Sequence, residues 1–375
     1  MRRDFALAVA ALVSISCAAA KGTESGVDYA QTARHLHELY AAMARHPGGG
    51  KEQSVIKTMI YALCVKKSAI ADGELKSEKL DFERARENLR MFRESKAYRF
   101  VSPEEDKELR KVAEWMDNNA GSAAPVPTGV PESMARKFAN SDGLAGVEFH
   151  AWAFDIPKGL APGDLVVRRQ DGYLDHAFRD ASAHEKRFTH AGILVEQDGG
   201  LVVASMFGDE LTMHGELRLQ SWMEYCAASV EVAVYRYSGK DAANVCRGIA
   251  VAAKRRRGVP LDFAFDLKTK DRLYCTELVR DCVNEAAGRE VVGTTKAGDF
   301  EYVAVDDCYR KEMVKLWDSL DERTASTEET MEVALRYLET RLTDEVTMPV
   351  VETASTTNAP VRRTIRFIPK NQPRR

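Results

Sequence analysis

The sequence predicts an α+β protein, and three observations predict it. The first third of the chain repeats its apolar residues at helical spacing. A central stretch changes to short β-branched runs around a tight-turn dipeptide, and helical spacing returns directly after Cys275. At 375 residues the chain has room for two domains, and 45% hydrophobic with 30% charged residues is the balance of a folded globular protein. The formal charge of −3 supplies no general attraction to nucleic acid or to an anionic membrane, so neither is expected as a partner.

Residues 1–20 read as an export signal. Arg2 and Arg3 precede an apolar run from Phe5 to Ile15, and Ala18 and Ala20 meet the small-residue cleavage rule. The run is too short to span a bilayer comfortably, so the expected location is periplasmic or secreted. A lipoprotein anchored through Cys17 ranks second, because Ser14 stands where an aliphatic residue is usual.

Residues 21–120 read as an all-helical N-terminal module. Tyr29, Ala33, Leu36, Leu39, Tyr40 and Met43 form one stripe, which Gly48-Gly49-Gly50 ends. Ile56, Met59, Ile60, Leu63 and Cys64 begin a second helix; Leu80, Phe82, Leu89, Met91 and Phe92 mark a third; and Pro103-Glu-Glu-Asp opens a fourth. His35 and His37 are two apart and do not share a helix face. The module shows no chemistry, so its expected role is packing or contact with a protein partner. Residues 121–131, with Pro125, Pro127 and Pro131, form a linker.

Residues 132–310 hold everything reactive. Pro162-Gly163-Asp164 turns into the strand Leu165–Arg168. Phe188–Val195 and Leu201–Met206 flank Asp198-Gly199, a strong hairpin signal. With those two residues as the turn, Gln197 faces Gly200, Gly192 faces Ser205 and His190 faces Phe207. Val230–Tyr237 reads as another strand and Asp241–Arg257 as a helix, whose terminal Lys254-Arg-Arg-Arg257 block complements the helix dipole. After Cys275, the residues Leu278, Val279, Cys282, Val283 and Ala286 follow helical spacing. A loop is expected near Gly298. Two C-terminal helices follow within residues 311–345, the first a helix-like segment starting near Val305 and running to Leu320, the second from Thr327 to Leu342. Residues 346–375 carry Arg362, Arg363, Arg366, Lys370, Arg374 and Arg375 and read as a basic disordered tail, with contact to an acidic cell-envelope polymer as its alternative role.

The chemistry centres on Cys275. A cysteine at a helix N-terminus meets the partial positive charge of exposed N–H groups, which favours thiolate and can stabilise an oxyanion. A cysteine nucleophile needs a base, and His190 opens an otherwise apolar strand, held on a rigid element. Strand alternation puts Ser205 on the face of His190, where its hydroxyl could accept from the imidazole in the orienting role of a triad. No CxxC or other metal-ligand spacing joins the cysteines, so neither a metal nor a cofactor is expected.

Four blocks in order carry a resemblance: Gly163-Asp164-Leu-Val, Thr189-His190-Ala-Gly192-Ile, Pro260-Leu-Asp262-Phe-Ala-Phe265 and Tyr274-Cys275-Thr-Glu277-Leu-Val. Together they resemble the YaeF/YiiX family of permuted papain-like amidases, relatives of the NlpC-type cell-wall peptidases, over about Leu160 to Gly288. The resemblance implies an antiparallel β half-barrel packed on the nucleophile helix, with Cys275 attacking an amide or ester carbonyl and His190 as base. The family's third catalytic position is usually Glu, Asn, Gln or His, whereas this chain offers Ser205. Leu261 replaces the family's frequent aromatic residue, which leaves Tyr274 to supply an oxyanion or substrate contact. Asp164, Asp262 and Glu277 match family positions and read as structural.

The expected function is an exported thiol hydrolase cleaving an amide through an acyl-enzyme, with a cell-wall peptide or an N-acyl lipid as substrate. Two alternatives stand beside it. One is a lipid esterase or acyltransferase of the lecithin:retinol acyltransferase type, which a long apolar channel would favour. The other is a non-catalytic binding or scaffold module on the same fold.

Overall fold

The computed structural model describes residues 38, 60, 64, 82–119, 150–170, 175–209, 214–227 and 229–340. The expected export signal, linker and basic tail lie outside the described residues. The chain divides into two compact units, residues 68–330 and residues 1–67 with 331–375. In the second of these, Ile60, Cys64, Met331, Ala334 and Leu338 are buried, and the Cys64 thiol lies 3.6 Å from the Ala334 carbonyl.

Residues 68–330 are built on one six-stranded antiparallel sheet in the order β4-β3-β2-β1-β5-β8. The strands are β1 Leu165–Arg169, β2 His190–Gln197, β3 Gly200–Asp209, β4 His214–Ser221, β5 Glu231–Tyr237 and β8 Met313–Asp318. A short hairpin, β6 Thr295–Ala297 and β7 Phe300–Tyr302, stands apart from it. The β2–β3 register is the one the turn dictates: Gln197 faces Gly200 and Gly192 faces Ser205. Asp198 and Gly199 both have positive φ, 51° and 80°, as a two-residue turn that matches strand twist requires.

Both faces of the sheet are covered, which is why β2 is nearly continuous in apolar residues. On one face Leu165, Ala191, Ile193, Ala204 and Leu217 pack against α5 (Ala242–Arg255) and α6 (Cys275–Ala287). On the other, Val166, Leu194, Val203, Val232 and Val234 pack with Trp222, Tyr225 and Cys226 of the short helix α4 (Trp222–Cys226). Ser221 caps α4, its hydroxyl accepting from the Glu224 N–H at 3.1 Å. The basic end of α5 is tied down as well as dipole-matched, because Arg255 and Arg256 both pair with Glu285 of α6.

Helices α1 (Phe82–Glu94) and α2 (Pro103–Asn119) are amphipathic, and their apolar faces do not form a separate core. Ala85, Leu89, Phe92, Leu109, Val112 and Met116 cluster with Phe263, Phe300 and Tyr302. The 3-10 turn Lys96–Phe100 closes the contact, where Lys96 and Arg99 pair with Asp299 and Arg99 also donates to the Ala297 carbonyl at 2.5 Å. The helix α3 (Asp175–Asp180) lies beside this turn.

Two expectations need correction. The helix expected from Val305 to Leu320 is a 3-10 turn, Val305–Tyr309, followed by strand β8. Val314, Lys315 and Leu316 are all exposed on an edge strand paired to β5 with a register shift beside Leu316, while Trp317 packs onto Trp152 and Trp222. The second correction is an omission, since β4 and α4 had no counterpart in the reading from sequence. The helix expected from Thr327 is present as α7, Thr327–Thr340.

Candidate active site

Cys275 is the first residue of α6, and Tyr274 is its extended N-cap. Glu277, at the third helical position, accepts from the Arg280 guanidinium at 3.4 Å. The thiol therefore sits where unpaired helix N–H groups point. The Ala191 amide of β2, one residue from His190, and the Thr276 amide both favour the thiolate form of Cys275.

Burial pushes the Cys275 thiol up to about 11, against the pull of these N–H groups and of Arg168. His190 moves the other way. Burial, reinforced by the Arg168 charge, holds its imidazole well below the usual histidine range. Both shifts favour the neutral thiol and the neutral imidazole over the ion pair. The Nε2 atom of His190 is buried without a hydrogen-bond partner, an acceptor or donor site held open at the end of the strand.

Arg168 organises this end of the sheet, and the sequence reading missed it. It lies opposite His190 across the β1–β2 ladder and is 8% exposed. Its guanidinium stacks 4.2 Å from the ring centroid of Tyr225 and donates to the Tyr225 carbonyl, while Nε has no hydrogen-bond partner. The His190 ring lies 5.8 Å from the same tyrosine ring. Tyr225 in turn feels the charges of both Arg168 and Cys275, so the four groups share one locus. The available signal was a cation continuing the inward Val166 position by strand alternation, in a run that is otherwise apolar.

Ser205 does not orient His190. Its buried hydroxyl donates to Gln220 Oε1 at 2.7 Å, and Gln220 Nε2 donates to Glu224 at 3.2 Å. The β2–β3 ladder holds the expected register as far as Gly192 opposite Ser205 and stops short of His190, and among the described residues no hydrogen bond joins Ser205 to the imidazole. Tyr274 is buried, and its hydroxyl accepts from the Val303 N–H at 2.9 Å. That bond takes the phenol away from the sulfur and leaves its ring as a wall.

The remaining motif residues hold backbone. Asp164 is fully buried in a two-point pair with Arg236, at 2.6 and 2.7 Å, and accepts from the Ala161 N–H. Asp262 accepts from the Ala264 and Asp266 N–H groups, both at 2.9 Å, and shapes the turn before Cys275. Glu277 is 2% exposed, and burial pushes its carboxyl up to about 8 with the Asp281 charge adding to the shift. Cys226, Cys246, Cys275, Cys282 and Cys308 are free thiols.

Cys275 opens into a cleft whose lining also includes Phe92, Phe100, Phe178, Phe265, Phe300 and Tyr302. Among the described residues no helix is long and apolar enough to cross a membrane.

No curated protein matches the chain. A solved structure, that of the metalloprotein yiiX from Escherichia coli O157:H7, is similar at 19% identity and a TM-score of 0.36, covering 42% of this chain and 96% of that one. A family model described as "Permuted papain-like amidase enzyme, YaeF/YiiX, C92 family" matches residues 159–311. That interval contains all four motif blocks, β1 to β7 and α6, so residues 159–311 are the part of the chain that carries the permuted papain-like amidase signature.

Proposed function

We propose that this protein is a cysteine amidase in which Cys275 is the nucleophile and His190 its base. One observation supports it above the others: a thiol at the first residue of α6 shares the Arg168–Tyr225 locus with His190, whose own Nε2 has no partner. With both groups neutral at rest, His190 takes the thiol proton as the sulfur attacks the carbonyl carbon. The resulting oxyanion lies near the α6 N-terminus, where the Cys275 N–H contributes to its stabilisation. His190 then returns the proton to the leaving amine, and water releases the acid from the thioester. Arg168 favours the thiolate and opposes the imidazolium, which keeps the base in its proton-accepting form.

The aromatic cleft supports an apolar acyl donor over a cell-wall peptide, which keeps the lipid esterase or acyltransferase reading alongside. The export reading rests on residues 1–20 and places this activity outside the cytoplasm. The test uses the full chain, iodoacetamide and a panel of N-acyl amides and muropeptides. Cys275 should alkylate faster than the fully buried Cys282, and Cys275→Ala should abolish hydrolysis. Equal alkylation at neutral pH, together with unchanged hydrolysis in Cys275→Ala, would leave a non-catalytic module on the same fold.

A further inference from the structure

The two edges of the six-stranded sheet are finished differently. The chain itself covers the β4 edge: the Leu217 N–H donates to the Val259 carbonyl at 2.8 Å, the Gly258 N–H to the Leu217 carbonyl at 2.9 Å, and the Leu261 N–H to the Gly215 carbonyl at 2.8 Å. Among the described residues the β8 edge has no such cover, since β8 pairs with β5 alone. The Ser238 N–H donates to the Glu312 carbonyl at 2.7 Å, and alternation then turns the backbone groups of Met313 and Lys315 away from β5. An open row of this kind is a template for another strand.

The side chains along this edge are apolar as well as open. Val314, Leu316 and Leu320 are 46%, 39% and 64% exposed, and the register shift leaves Leu316 with no partner on β5. A lysine on an edge strand ordinarily discourages pairing, but Lys315 is drawn to Asp318 at 3.0 Å and to Asp321 at 3.8 Å. The flanks of the strand carry opposite charge. Arg310 and Lys311 precede it, exposed and with no ion pair among the described residues, while Asp321 and Glu322 follow it, also exposed. An antiparallel neighbour of the same sequence reverses that order. With Leu316 opposite its own copy, counting outward sets Lys311 opposite Asp321 and Arg310 opposite Glu322, at both ends of the pair.

We propose that β8 is a homodimer edge, at which β8 of a second copy pairs antiparallel across a two-fold axis at Leu316 and continues one six-stranded sheet into the other. Such an interface is self-complementary, so each apolar and charged contact is made twice. The strand lies beyond residues 159–311, and the proposal does not depend on Cys275 as nucleophile. An interface this short belongs to the weak class, which sets the concentrations at which it is sought.

Sedimentation velocity of the full chain across about 1–100 μM tests the proposal, and the wild type should pass from monomer to dimer in that span. Leu316→Lys, which brings like charges together on the axis, should weaken association by about tenfold or more. Lys311→Glu and Asp321→Lys should each weaken it by about threefold or more at low salt, and the double variant carrying both should recover wild-type association. Under oxidation by copper phenanthroline, Leu316→Cys should form an intermolecular disulfide, since opposed Cα atoms of neighbouring strands lie about 4.5–5.5 Å apart. Val251→Cys, exposed on α5, should not. A chain that stays monomeric at every concentration overturns the proposal, whether or not its own residues cover the edge. A dimer that Leu316→Lys leaves intact, a charge swap that does not restore association, or equal crosslinking of Val251→Cys and Leu316→Cys overturns it as well. Circular dichroism checks that each variant is folded, and the charge swap and the crosslink remain decisive if Leu316→Lys is not.

Discussion

Glu277→Gln isolates the electrostatic cost of the motif beside the nucleophile. Glu277 is buried at the third position of α6, and its carboxyl is pushed up to about 8 from an ordinary value of 4.5. Between those two pH values the native state holds a proton that the unfolded chain releases, so stability falls as pH rises through the window. At about 1.4 kcal/mol for each pH unit, the shift sets a ceiling of about 5 kcal/mol, and local relaxation reduces the measurable effect to about 2–3 kcal/mol. Gln keeps a carbonyl oxygen that accepts from Arg280, which lies 3.4 Å from Glu277, and Arg280 keeps its 2.6 Å pair with Asp281. The variant should therefore match the wild type near pH 4.5 and exceed it by the full amount above about pH 8. Urea unfolding of both proteins across that range measures the difference directly. A difference that does not change with pH, or a wild type that gains on the variant as pH rises, would refute a neutral buried carboxyl at this position. The consequence for the site is that Glu277 is largely protonated near neutrality and adds little negative charge beside a thiol that must become thiolate.

Arg168→Met should raise the Cys275 thiol above its already elevated position and slow iodoacetamide labelling at every pH below about 11, with the pH–rate curve displaced to higher pH. The fold should survive, because no carboxylate among the described residues pairs with this cation, and buried charges replaced by apolar groups of similar size are often neutral or stabilising. Arg187→Met should be far more damaging. Arg187 donates to Glu231 at 2.6 Å and to Asp318 at 2.6 and 2.8 Å, and Asp318, despite the opposing effect of burial, is held at about 2. Removing the cation should cost about 3–5 kcal/mol at neutral pH by thermal or urea unfolding. The wild-type contribution of Asp318 is fully present above its unfolded value of 3.8 and is lost as pH falls towards about 2, so the gap between the two proteins should narrow there.

The sequence by itself determined the parts that local chemistry controls. Asp198-Gly199 accepts positive φ at both turn positions, and that alone set the β2–β3 register down to Gly192 opposite Ser205. Apolar spacing after Cys275 put that residue at or near the start of α6, which begins there. Four short blocks in order were enough to recognise the family that residues 159–311 match. What only the tertiary structure decided was the choice of partner. Ser205 bonds Gln220 because β4 pairs beside β3, and no local pattern announced that strand. Val305–Leu320 carries apolar residues that suit helical spacing, yet pairing with β5 drew Met313–Asp318 into a strand, since an open sheet edge rewards backbone hydrogen bonds that a helix would satisfy internally. The same holds at the site. Arg168 becomes significant only once burial strips water from it, and Phe92 and Phe100 reach the Cys275 cleft only because α1 packs on Phe265 and Phe300. Burial and packing join residues far apart in the chain, and periodicity reports only on neighbours.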